Sequence, residues 1–346
     1  MPAFKGKEMR MRLRFTKMHG CGNDFILVNE SAGASQERKR GERAGAEREV
    51  AIPEERKGDV ARALCRRRFA VGADGLIFLC EPSSSAYDFR MRIFNADGTE
   101  AEMSGNGIRC AAKFAFEHGV APRKMRIQTE GGLRVAEVLK EKCEEAEAEE
   151  EAEGKNGSAG GVVGRTSLVR VFMGKPVFKC VDEPFKVKGM KGSGEEFEEV
   201  RLSVLSVGNP HAVMLVDSFE GLDVSALGRR ISSLPAFPEG VNVNFVALRS
   251  KNEAESSEGA VGAAAEEGVA EIQVRTYERG VGETLSCGTG STASVLALHR
   301  LGILDARKPV RVLTRGGVLT VELREDGAYL TGPATEVCEG TVEISF

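Results

Sequence analysis

Apolar and polar residues alternate with period two in many short runs along this chain. RLRFTKMHG (12–20) and DFILVNE (24–30) read as two strands around a turn. DGLIFLCE, FRMRIFN, MRIQTE, LRVAEVLK, LVRVFMG, HAVMLVD, NVNFVAL, EIQVRTYE, VRVLT and LTVELRE read as further strands. Helical spacing is rarer and is expected over 59–69, 108–118 and 291–301. Many strands with a few helices packed against them predict an α+β fold. Four stretches break the pattern: 31–58 mixes charges, 141–161 is acidic and then Gly/Ser-rich, 188–199 is Gly, Lys and Glu, and 251–268 is Ala, Glu and Gly. None can bury much apolar surface, so each is expected to be a solvated loop or disordered.

The length of 346 residues suggests two domains. The net charge of -4, the absence of tryptophan and the presence of only 3 tyrosines argue against a nucleic-acid partner. No apolar run is long enough to span a bilayer, and the basic start MPAFKGKEMRMRLRF lacks the apolar core of a secretory signal. A cytoplasmic protein with no membrane partner is therefore expected. The eight cysteines, at 21, 65, 80, 110, 143, 180, 287 and 338, are irregularly spaced and contain no CxxC. That argues against a disulfide scaffold and against a structural metal, and most read as small core or loop residues.

A repeat changes this picture. With Phe94 aligned on Tyr277, FNADGTEAEMSGNGIRCAAKFA runs without a gap against YERGVGETLSCGTGSTASVLAL. Ser104 then falls on Cys287, Gly105 on Gly288, Gly107 on Gly290 and Glu100 on Glu283. Upstream, GCGNDFILV around Asn23 echoes VGNPHAVMLV around Asn209, and the spacings from Asn to loop, 81 and 78 residues, are similar. Paired motifs in one order imply an internal duplication. Two facing halves would form a cleft, each aiming a Gly-x-Gly helix start into it.

A helix start leaves N–H groups unpaired and carries partial positive charge, and glycine lets an anion approach closely. Such a loop suits a carboxylate or phosphate. A lone Gly-x-Gly is more often an ordinary turn, and neither copy completes the dinucleotide or P-loop pattern. The pair of copies, with a thiol at one helix start, favours a catalytic site. Cys287 is expected at the N-cap, where its pKa would fall towards neutrality and equip it as general base and acid.

FTKMHGCGNDFILVN, NADGTEAEMSGNGIRC, GNPHAVMLV, PEGVNVNF and YERGVGETLSCGTG resemble the signature blocks of the diaminopimelate epimerase family, in the family's order, from near the N-terminus to about Ala293. The resemblance implies two pseudosymmetric α+β domains, a mixed or antiparallel sheet wrapped around a central helix in each. They are expected over 1–172 plus 334–346 and over 173–333. It implies conversion of L,L- to meso-diaminopimelate, a precursor of lysine and cell wall, by two thiols on opposite faces, with no cofactor, no metal, and a homodimer. Asn23, Asn95, Asn209 and Asn242 match the family's substrate-holding asparagines, and Glu278 and Arg279 its acidic and basic contacts. Gly105 and Asn106, with Gly288 and Thr289, match its cradle for the reacting carboxylate. His211 falls on a further site position, although a lone histidine is otherwise more often structural.

One position departs from the family. Ser104 stands where the family has its other cysteine. A serine is a good N-cap and a far weaker acid than a thiol, and Cys110 should lie inside the following helix. Three readings stay open: Ser104 or a water relays the proton; the serine is an engineered replacement that traps a ligand; or the chain is a single-thiol lyase or dehydratase acting on an amino acid. A proline racemase-like relative and a non-catalytic amino-acid binding protein are the alternatives of other kinds.

Overall fold

The computed structural model describes residues 10–31, 52–142, 164–188, 197–249 and 269–345. Most of the four interrupting stretches lies outside these residues. Within the first, however, the chain is structured earlier than expected: Ile52 and Lys57 are buried, and helix α1, Lys57–Leu64, starts there. The Lys57 ammonium pairs with Glu30 at 2.8 Å, which lets a charged residue join the core. The helix also stops short of Phe69, and Arg68 adopts a left-handed backbone.

Among the described residues the strands form one continuous 17-stranded sheet whose two halves show the same order of pairing. In the first half, Arg10–Gly20 pairs antiparallel with Asn23–Asn29, which runs parallel to Gly75–Cys80. Then follow Phe89–Asn95, Lys124–Thr129, Gly132–Lys142 and Arg165–Gly174. The last strand, Gly327–Ser345, joins Arg165–Gly174 back to Arg10–Gly20 and closes an eight-stranded ring. The turn between the first two strands is Cys21-Gly22, both with positive φ (53° and 78°), which matches the twist of a tight hairpin.

The second half repeats the sequence of steps. Val177–Lys188 pairs with Phe197–Ser206, then come Pro210–Leu215, a parallel step to Asn242–Leu248, Ala270–Glu278, a parallel step to Val310–Thr314, and Gly317–Arg324. The strand Gly327–Ser345 serves both halves, pairing at its start with Gly317–Arg324 and at its end with Arg10–Gly20.

Each half of the sheet encloses one helix. Helix α2, Gly105–Glu117, is buried from Gly105 to Ala115. A surface helix, α3, Val224–Ser232, is capped by Asp223. Helix α4, Gly288–Arg300, is buried from Gly288 to Leu298. A helix covered on every side must satisfy its polar residues internally, and Thr292 and Ser294 donate to the carbonyls four residues back. Apolar residues of α2 and α4 belong to one continuous core, which fixes the two helix starts relative to each other.

Candidate active site

The duplication is visible atom by atom at the two helix starts. Ser104, with φ -141° and ψ 120°, caps α2, and its Oγ accepts from the Gly107 N–H at 3.1 Å. Cys287, with φ -121° and ψ 113°, caps α4, and its Sγ accepts from the Gly290 N–H at 3.4 Å. Arg92 grips Glu100 through two bonds of 2.7 Å in the hairpin leading to Ser104. At the equivalent place Arg275 grips Glu283 at 2.8 and 3.1 Å. These bidentate pairs brace both approaches. The recurring Arg-x₇-Glu spacing was a readable sign of them.

The two helix starts abut. A Cβ built on Gly105 would lie 3.4 Å from the Gly288 Cα, at ordinary van der Waals contact, so the two backbones approach within the reach of one methyl group. The N–H groups of Gly105, Asn106, Gly288 and Thr289 occupy the first positions of the two helices and have no acceptor within them. They are the donors available to a carboxylate held across the seam. Asn106 ties the halves together: its Nδ2 donates to the Ser286 carbonyl at 2.9 Å and to Asn23 Oδ1 at 3.2 Å, while its Oδ1 accepts from Arg109 at 2.9 Å. Asn23 in turn donates to Asp74 at 2.9 Å.

Around Cys287 the electrostatics differ from the expectation. The thiol is buried, and its pKa is pushed up rather than lowered, first by burial and then by the negative charge of Glu278. The contacts from Thr289 Oγ1, 3.4 Å away, and from the Gly290 N–H work in the other direction but are outweighed. The helix terminus stabilises a thiolate, but desolvation by burial costs more. Glu278 is also raised by burial, with bonds to Thr284 and Cys287 opposing. Cys287 and Glu278 are therefore a hydrogen-bonded acid pair. Cys110 lies inside α2, fully buried, with its pKa pushed up to about 12, so it does not take the place of the missing thiol.

The remaining expected residues divide. Asn242 is buried, donates to the Pro210 carbonyl at 3.2 Å and accepts the Arg279 N–H at 2.9 Å, so it shapes the Arg279 turn. The exposed Arg279 side chain donates to the Glu239 carbonyl at 2.9 Å. Asn209 is held by His211, Nε2 to Oδ1, at 3.0 Å. Asn95 is exposed and its side chain bonds within its own turn, to Thr99 at 3.0 Å; among the described residues no side-chain hydrogen bond joins it to the other site residues. Sequence reasoning missed Asp74, Arg109, Asn244, Thr284 and Ser286. Their polar side chains or backbone groups act through hydrogen bonds across the fold, which no local pattern reveals.

Solved structures share this architecture. A probable proline racemase from Agrobacterium radiobacter superposes with a TM-score of 0.60 at 15% identity, over 95% of this chain and 92% of that one. A methylitaconate-delta-isomerase gives 0.57 at 14% identity, over 97% and 96%. This likeness shows the fold, a duplicated one in which two capped helix starts meet at a seam. The family is shown by sequence. The family model for diaminopimelate epimerase matches residues 15–153 and 203–337. The diaminopimelate epimerase of Methanocaldococcus jannaschii is 38% identical over 94% of this chain and 97% of its own length, and that of Archaeoglobus fulgidus is 38% identical over 97% and 98%. This chain belongs to the diaminopimelate epimerase family.

Proposed function

We propose that the chain converts L,L-diaminopimelate to meso-diaminopimelate by removing the proton from one α-carbon and returning a proton to the opposite face. The matched caps carry this reading: Cys287 Sγ and Ser104 Oγ hold equivalent positions at two abutting helix starts. The family to which the chain belongs leaves the lyase and binding-protein alternatives without support.

The reacting carboxylate lies across the N–H groups of Gly105, Asn106, Gly288 and Thr289. Burial raises both Cys287 and Glu278, so each holds a proton more readily than it would in water. A substrate ammonium placed beside Glu278 brings positive charge to the pair and favours its anionic form. The thiol proton passes to the Glu278 carboxylate, and the Cys287 thiolate takes the α-proton. The electron pair left on carbon spreads into the carboxylate, where the four aimed N–H groups meet the growing charge. Ser104 Oγ accepts from Gly107 N–H and passes its own proton to the other face, directly or through a water, while water returns a proton to Ser104 in the same step and the proton collected by Cys287 is afterwards released to solvent. Serine is acid enough for a carbanion, yet too weak an acid to wait as an alkoxide.

Asn23, Asn95, Asn209, Asn242 and Arg279 hold the rest of the substrate in this reading. The seam separates 1–172 plus 334–346 from 173–333. A cytoplasmic homodimer serving lysine synthesis completes the proposal; among the described residues no helix is long and apolar enough to cross a membrane.

The test is Ser104→Cys. It is expected to raise kcat/KM for epimerisation by about tenfold or more. The factor must be the same in both directions, because a catalyst leaves the equilibrium unchanged. An unchanged or slower rate in the folded variant would contradict the role given to this cap.

A further inference from the structure

Behind the Asn209 loop lies a buried polar chain that neither the repeat nor the proton transfer accounts for. His211 and Asn244 are completely buried, and Thr276 nearly so. Asn244 Nδ2 lies 3.2 Å from the Ala212 carbonyl and 3.1 Å from His211 Nδ1, and Asn244 Oδ1 accepts from Thr276 Oγ1 at 3.1 Å. His211 Nε2 lies 3.0 Å from Asn209 Oδ1. These four contacts settle every proton. A backbone carbonyl only accepts, so the Asn244 atom facing Ala212 must be the NH₂. Its second hydrogen then points to His211 Nδ1, which must be the bare nitrogen. Nε2 therefore carries the ring proton and donates it to Asn209 Oδ1. With its oxygen facing His211, Asn209 makes no hydrogen bond through its NH₂ end among the described residues.

The same amide also supports the other half of the chemistry. A Cβ on Gly290 would come within 2.2 Å of Asn244 Oδ1. Gly290 is the residue whose N–H contacts Cys287 Sγ. Asn244 thus packs directly beneath the thiol loop while fixing the imidazole on its other side.

We infer that Asn244 is a positioning residue: it locks His211 in the Nε2–H tautomer, and the locked ring turns the donor end of Asn209 towards the substrate. His211 is then a fixed neutral donor rather than a proton carrier, in keeping with a pKa that burial lowers to about 3. The inference rests on the proposed role of Asn209 as a substrate contact.

The test has two parts. Two-bond proton–nitrogen correlation spectra of histidine-labelled protein report the tautomer, with the His211 signals assigned by their loss in His211→Gln. The wild-type ring should show the Nε2–H pattern, unchanged from about pH 5 to 8. In Asn244→Leu the pattern should become mixed or switch, and Asn244→Ser serves if that variant does not fold. Binding of L,L-diaminopimelate is then measured by calorimetry in a Cys287→Ala background. Asn209→Ala and the Asn244 variant should each weaken it by about tenfold. An Nδ1–H pattern in the wild type, or a ring that titrates in this range, would overturn the proposal. So would an Asn244 variant whose tautomer changes while binding stays within about twofold of the parent. If instead Asn209→Ala binds as well as the parent, the assignment of Asn209 as a substrate contact fails, whatever the tautomer.

Discussion

At the scale of single residues, burial governs the chemistry more than position in the sequence does. Cys287 was legible as an N-cap from its Gly-x-Gly context, and the structure places it there. Its acidity was not legible, because desolvation and the neighbouring Glu278 depend on how the second half closes over the loop. His211 shows the same effect with the opposite sign. Its folded pKa of about 3 lies below the ordinary value of 6.5, so the native ring stays neutral where the unfolded one charges. Stability from this residue is complete above pH 6.5 and is lost as pH falls from 6.5 towards 3. The loss is about 1.4 kcal/mol per pH unit in that window. Urea unfolding at pH 7 and pH 5 should show wild type losing roughly 2 kcal/mol more than His211→Gln. Equal losses in the two proteins would mean that the ring is not held neutral.

At the scale of elements, the two central helices were readable and the shared strand was not. Helices α2 and α4 each follow a polar loop and a Gly-x-Gly, and both begin three residues before their apolar spacing becomes evident, because the glycines themselves form the first turn. Gly327–Ser345 escaped notice because it contains Gly332 and Pro333 and changes register near Val337, so no single alternation runs through its 19 residues. Val177–Lys188 is an outer strand whose residues are mostly partly or fully exposed, and its charges hide the pattern. Helix α3 is short and relies on the Asp223 cap and its packing. Glycines within α4 have a packing role that can be measured. Gly290→Ala would drive a methyl into the locked Asn244 amide and should cost about 2 kcal/mol. Gly119 meets nothing within 4 Å, so its alanine variant should pay only for its positive φ, about 1 kcal/mol. Chemical denaturation of both variants checks the order, and a Gly290→Ala protein as stable as Gly119→Ala would refute the account of that contact.

At the scale of the whole molecule, the duplication supplies the architecture and the seam supplies the site. The repeat in the sequence indicated two facing helix starts, and the matched Arg–Glu pairs and caps show how closely the halves correspond. What the repeat could not reveal is the fastening between them. Asn106 joins Asn23 and the Ser286 carbonyl while holding Arg109, a completely buried cation whose other acceptors are the Gly105 and Pro333 carbonyls and the Cys21 sulfur. Asn106→Ala leaves several of these groups without a partner and should cost roughly 2 kcal/mol of stability, measured by urea unfolding. A neutral substitution would show that the halves are held by apolar packing alone.

The central claim, that the Cys287 sulfur exchanges a carbon-bound proton while both helix starts hold the carboxylate, is tested most directly by incubating L,L-diaminopimelate with the protein in D₂O and following deuterium at the α-carbons by mass spectrometry and chiral separation. Wild type is expected to place deuterium at one α-carbon and to yield the meso product, and Cys287→Ala to do neither while still binding the substrate. Deuterium uptake at the wild-type rate in Cys287→Ala would contradict the account.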